Sequence, residues 1–154
     1  MALVEVKIED LLGKALDWAL ATIEGLPICH DPMAFGNNAN GGYWVWEKKP
    51  MGVKLKIGPH RAPASREAAA HYSPSTNWNQ LGPLLLSYPI VLGNHESGKE
   101  DGKFWGSAHC FISGTSFDTT RGMMVAACRA MVAFKLEALV MMVPSSLVQT
   151  AAQA

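Results

Sequence analysis

Charged residues are scarce in this 154-residue chain: Asp, Glu, Lys and Arg make up 17%, and 13 basic residues balance 13 acidic ones. That balance excludes a whole-molecule field that would draw the chain onto nucleic acid or an acidic membrane. The three cysteines, Cys29, Cys110 and Cys128, are odd in number and widely spaced. They form neither a disulfide framework nor a CxxC metal knuckle, and they point to a reducing, cytoplasmic setting. No basic segment followed by an apolar stretch opens the chain, so no signal peptide is expected. The longest apolar segment, 123–144, carries Arg129, Lys135 and Glu137. Those charges argue against a membrane span, and no membrane role is expected.

Catalytic motifs are missing too. There is no G-x-S-x-G elbow, no P-loop, and no H-E-x-x-H, because Lys99 stands at the last position after His95 and Glu96. Cys29, His30, His109 and Cys110 have suitable chemistry for zinc, but adjacent strand residues point to opposite faces. No metal, cofactor or catalytic residue is assigned, and the chain reads as a non-enzyme.

What is present is apolar patterning. Val4–Val6 reads as a short strand. Leu12, Leu16, Ala19 and Ile23 share one face of a helix that starts near Glu9 or Asp10 and stops at Gly25, before Pro27. Residues 29–42 read as loop. Tyr43–Trp46 and Val53–Ile57 read as a hairpin, the second strand alternating apolar residues with Lys54 and Lys56. Residues 58–83, punctuated by Pro59, Pro63, Pro74 and Pro83, read as one long internal loop with a helical turn at 66–70. Leu84–Leu92 reads as a strand interrupted by Pro89, and Phe104–Ile112 as another, with Gly106, Ala108 and Cys110 on one face. A loop follows at 113–118. A last helix, capped by Asp118, Thr119 or Thr120, runs to Val140 or Met141. Its wide apolar arc predicts burial against the sheet and the first helix.

These elements predict an α+β fold: an antiparallel sheet of about four strands with two main helices packed on one face. Residues 1–143 form one domain, and 144–154 are expected to be a disordered tail.

Within the long loop, Tyr72–Pro83 gathers an aromatic, hydroxyls and amides, a composition suited to a binding surface. Its candidate contact residues are Tyr72, Ser73, Asn77, Trp78, Asn79 and Gln80. Asp17 and Trp18 on the first helix and Arg129 on the last join them. Each has a plainer structural alternative. Trp78 can anchor the loop, Asp17 can pair with Arg129, and the amides can satisfy loop backbone. A second candidate surface is basic and aromatic, spanning 43–66, with Lys54, Lys56, Arg61 and Arg66 beside Tyr43, Trp44 and Trp46. It would suit single-stranded nucleic acid. The expected partner is a protein or such a strand, and low charge mildly favours a homodimer.

Three blocks, Leu12–Gly25, Tyr72–Pro83 and Asp118–Leu136, together resemble the small phage and prophage proteins of the NinX type, a family of unknown function. That family carries an Ala-Leu-Asp-Trp-Ala helix, here Ala15–Ala19. It has a Tyr-Ser loop followed by Trp and Gly-Pro, here Tyr72, Ser73, Trp78, Gly82 and Pro83. Its final helix matches Ala127, Arg129, Val132, Ala133, Lys135 and Leu136. The departures are Leu81 and Glu137, which stand where the family has glycine, and Met131, which stands near its tyrosine. The resemblance implies a phage-derived accessory protein and no particular chemistry.

Overall fold

The computed structural model describes residues 2–31, 42–46, 54–58, 71–96 and 104–148. The fold is α+β. It holds three α-helices, α1 (Gly13–Ile23), α2 (Trp78–Leu85) and α3 (Met123–Leu136), and nine strands among the described residues. The strands are β1 (Leu3–Lys7), β2 (Ile28–Asp31), β3 (Gly42–Trp46), β4 (Lys54–Ile57), β5 (His71–Tyr72), β6 (Ile90–Glu96), β7 (Phe104–Cys110), β8 (Ser116–Thr119) and β9 (Val140–Pro144). They form three sheets, ordered β1-β9, β2-β3-β4-β5 and β6-β7-β8. The expected single antiparallel sheet under two helices is therefore corrected. The strands divide into smaller sheets, and β4 pairs with β5 in parallel.

The reason lies in α3. Its residues from Val125 to Ala133 are all buried, Arg129 included. A helix buried all round must be covered on more than one side. It packs on β6, β7 and β8 and also against α1. The first helix thus lies on the last helix, with further contacts to β4 and β9, and the two do not share one sheet face.

Several local readings hold. Tyr43–Trp46 and Lys54–Ile57 form the expected antiparallel hairpin pair, with Trp44 opposite Lys56. In β7, Gly106, Ala108 and Cys110 face inward while His109 faces out. Helix α1 ends as its glycine predicts. Gly25 takes φ +70°, its amide bonds Thr22 O at 3.1 Å, and Leu26 N bonds Ala21 O at 3.1 Å. This pair of bonds satisfies carbonyls the helix end would otherwise leave open.

Other readings are corrected. Ile28–Asp31 is a strand paired with β3, where a loop was expected. Helix α1 starts at Gly13, after a 3-10 turn at Ile8–Asp10. Leu84–Tyr88 is not strand: Trp78–Leu85 is helix despite the internal Pro83. Proline removes one amide, but Leu81 is fully buried and anchors the turn. The last helix starts at Met123 because Ser116–Thr119 pairs with β7 as β8. It stops at Leu136, and Val140–Pro144 returns as β9 against β1. The expected tail is corrected in part: Pro144 and Leu147 are buried, while 149–154 lie outside the described residues. The helical turn expected at 66–70 also lies outside them.

Candidate functional site: a cleft at two helix starts beside Trp78

The loop from His71 to Asn77 is tied down at each turn. Gln80 reaches back from α2 as a two-ended clamp. Its Nε2 donates to His71 O at 2.6 Å, and its Oε1 accepts from Ser73 N at 2.7 Å. Thr76 N bonds Ser73 O at 3.0 Å. Asn77 caps α2 by accepting from Asn79 N at 3.0 Å. An Asn side chain at this position satisfies an amide that the helix start leaves open.

The loop is also tied to α1. Asp17 is 1% exposed and accepts from Ser75 N at 2.9 Å. Burial pushes its carboxyl up to about 7, and the Ser75 amide and hydroxyl pull the other way. Tyr72 and Cys128 lie near enough to feel this carboxylate, and burial, with the carboxylate adding to it, pushes the pKa of both groups up. The hydroxyls of Tyr72 and Ser73 are buried and complete no hydrogen bond of their own.

The suggested Asp17–Arg129 pair is replaced by two separate braces. Arg129, 7% exposed, donates from Nε to Leu11 O at 2.9 Å. Burial lowers its pKa, partly offset by the nearby Asp10 and Glu9. A buried guanidinium needs such acceptors. Arg129 thus fixes the turn that leads into α1, and Asp17 fixes the loop that leads into α2.

Between these braced segments lies a cleft of about 560 Å³. Its walls include Leu12, Gly13, Ser75, Trp78, Arg121 and the first turn of α3 from Gly122. Trp78 is 46% exposed, so it stands as a free wall and not as a buried anchor. Neither α1 nor α3 has a side-chain cap at its start. In α3 the first amide bonded to a helix carbonyl is that of Ala126, to Gly122 O at 3.2 Å. The amides of Met123, Met124 and Val125 precede it, and such leading amides have no partner within a helix. The closeness of α3 to the sheet is set by Gly106. A Cβ there would sit 2.3 Å from Met123 N and 2.4 Å from Gly122 C.

The expected contact residues therefore divide. Asp17, Tyr72, Ser73 and Arg129 are buried, and Trp18, Asn77 and Gln80 are half-buried. Trp78 and Asn79 are the exposed ones. Sequence reasoning missed Arg121, Gly122 and the start of α1. The available signal was Arg121-Gly122 standing between the cap candidates Asp118, Thr119 and Thr120 and the apolar run, which moves the helix start beyond their reach.

On the second surface, Lys56 Nζ lies 5.9 Å from the Trp44 ring centroid. Arg61 and Arg66 lie outside the described residues, as does the side chain of Lys54. No group of three or more metal-ligating side chains gathers among the described residues. No described helix is long and apolar enough to cross a membrane.

Fold and site together define a small α+β domain in which buried polar braces hold an aromatic-walled cleft. A family described as bacteriophage P22 NinX matches residues 7–135, and the chain belongs to that family. No curated protein matches the chain.

Proposed function

We propose that this chain is a phage-derived accessory protein that binds another macromolecule through the 72–83 segment. The observation that carries this reading is Trp78, half-exposed at the mouth of the cleft while the loop beneath it is fixed by Asp17 and Gln80. A large aromatic held on a preorganised loop is what binding hot spots are made of, because little ordering entropy is left to lose on association. Asp17, Arg129, Asn77 and Gln80 act in this reading as positioning residues, and Trp78 and Asn79 as the contact surface.

The test is a photo-crosslinking residue at Asn79, with Glu137 at the far end of α3 as the control. The cells should carry the phage genome in which the protein acts. A discrete adduct from position 79, absent from position 137 and lost with Trp78→Ala, is the expected result. Equal adducts from both positions, or none from 79, refute it.

A second reading is single-stranded nucleic-acid binding through 43–66. Its support is the cross-strand pairing of Trp44 with Lys56 on one hairpin. It predicts salt-sensitive oligonucleotide binding that Lys56→Ala weakens. Absence of binding at low salt removes it.

A further inference from the structure

The cleft beside Trp78 has a chemistry that the macromolecular reading alone does not use. Among the described residues no Asp or Glu lines it, and Arg121 does. Arg121 donates its backbone amide to Thr119 Oγ1 at 3.0 Å, while its guanidinium makes no ion pair among the described residues. Two helices present uncapped starts to the same space. Ser75, 3% exposed, also lines it, its backbone held by Asp17 beneath. Leading helix amides and a guanidinium are donors, and they favour an anion. The remaining wall is apolar and aromatic: Leu12, Met123, Met124, Val125 and Trp78.

From this juxtaposition we infer that the cleft is a phosphate-receiving pocket for a phosphorylated nucleoside. The phosphate lies against Arg121 and the starts of α1 and α3, and the flat base lies on Trp78. The volume suits a ligand of that size, since small-molecule sites run from about 300 to 1,000 Å³. Arginine supplies planar, paired donors to a phosphate, and an indole stacks on any base. This rests on the reading of the Trp78 loop as the binding face and names the chemistry received there. The phosphate can come from a free nucleotide or from the 5′ end of a strand.

The experiment is calorimetric titration of the whole chain with adenosine monophosphate, adenosine and inorganic phosphate. A 5′-phosphorylated tetranucleotide and its unphosphorylated form are titrated alongside. The monophosphate is expected to bind one to one, about tenfold or more tighter than adenosine. Arg121→Ala, on an exposed side chain, is expected to remove that advantage without moving the thermal midpoint. Trp78→Ala is expected to weaken nucleoside and nucleotide alike. Tighter binding of the phosphorylated tetranucleotide identifies a strand end, and tighter binding of the monophosphate identifies a free nucleotide. Equal binding of monophosphate and adenosine, no heat up to about 10 mM ligand, or an Arg121→Ala variant that binds as before overturns the inference. If the monophosphate fails while the Asn79 adduct persists, the pocket is refuted and the binding face stands. If the monophosphate binds and no adduct forms, the pocket stands and the macromolecular reading falls.

Discussion

The two walls of the cleft are built on opposite terms. On one side, the segment from His71 to Gln80 uses its polar groups on itself and on α1: Gln80 closes the loop, Asn77 caps α2 and Asp17 holds Ser75. On the other side, α1 and α3 begin without side-chain caps, and Arg121 stands beside them without an ion pair among the described residues. A wall whose backbone is tied down in this way serves to hold a shape, although the Tyr72 and Ser73 hydroxyls complete no bond there. A wall that leaves donors open serves to receive something, since uncapped helix starts cost stability that a cap would recover. On the proposed reading, the difference gives buried residues of the family blocks a positioning role and the less conspicuous Arg121-Gly122 pair a contact role.

The largest effect expected from breaking the satisfied wall is at Asp17. Its pKa rises from 3.8 to about 7 on folding. Between those values the folded chain holds a proton that the unfolded chain has released, so stability falls as pH rises through this window. Below the unfolded value the contribution is fully present, and above about 7 it is lost. At about 1.4 kcal/mol per pKa unit, the fall is on the order of 4 kcal/mol at most. Asp17→Asn keeps an oxygen acceptor for the Ser75 amide and has no proton to exchange. Urea melts at pH 4, 6 and 8 are expected to show the parent losing stability relative to Asp17→Asn across the series. Parallel curves for the two proteins would refute the assignment.

Next comes the open wall, through its support. Gly106→Ala places a methyl within 2.3 Å of Met123 N, a backbone atom that has no rotamer with which to escape. Overpacking against backbone is expected to cost about 3 kcal/mol. Because the displaced element is the start of α3, the amide signals of Met123–Val125 are expected to shift along with those of β7. Glycine at neighbouring Gly93 meets only the Ser107 hydroxyl, at 3.1 Å, so Gly93→Ala is the milder control. Equal losses from both would break the link between β7 and the cleft.

A smaller effect belongs to the loop clamp. Gln80→Leu deletes both bonds and leaves His71 O and Ser73 N without their partner. The expected cost is about 1–3 kcal/mol. Faster hydrogen exchange is expected at Ser73 and Ser75, with that of Leu55 and Ile57 in β4 unchanged. Uniform acceleration would show that the clamp supports the whole domain and not the loop.

The sequence showed those elements whose local signals agree with their tertiary setting. The apolar face of α1, its Gly25 stop, the β3–β4 hairpin and the alternation in β7 were all legible for that reason. It misled where a local signal is overridden. Pro83 argued against a helix, yet Leu81 is buried and Asn77 caps the start. The last helix reads as running on to Val140 or Met141 because no glycine or proline divides the chain between Met123 and Pro144. The chain nonetheless reverses there and returns as β9. Within the candidate site, the 72–83 composition pointed to the right segment but not to the buried roles of Asp17 and Arg129. Those depend on which backbone groups lie opposite them, Ser75 N and Leu11 O, far away in sequence. Arg121 carried no motif and became visible only when two helix starts were brought together.

The smallest predicted effect turns on that missed reversal. Helix α3 ends at Glu137, which takes φ +52° and ψ +40°, the one left-handed non-glycine residue among those described. A side chain in this conformation costs about 1–2 kcal/mol, whereas glycine enters it freely. Glu137 thus departs from the residue that this backbone favours. Its carboxylate also sits at a helix C-terminus, where negative charge opposes the helix dipole. Glu137→Gly is therefore expected to stabilise the chain by about 1 kcal/mol, less the entropy that glycine adds to the unfolded state. Glu137→Ala removes the charge but keeps the Cβ, and it is expected to recover only a few tenths. Thermal midpoints ranked Gly above Ala above the parent support the left-handed stop. A glycine variant less stable than the alanine one would show that the turn before β9 is held some other way. Either substitution leaves the cleft at the opposite end of α3 untouched, so nucleotide titration of Glu137→Gly should match the parent.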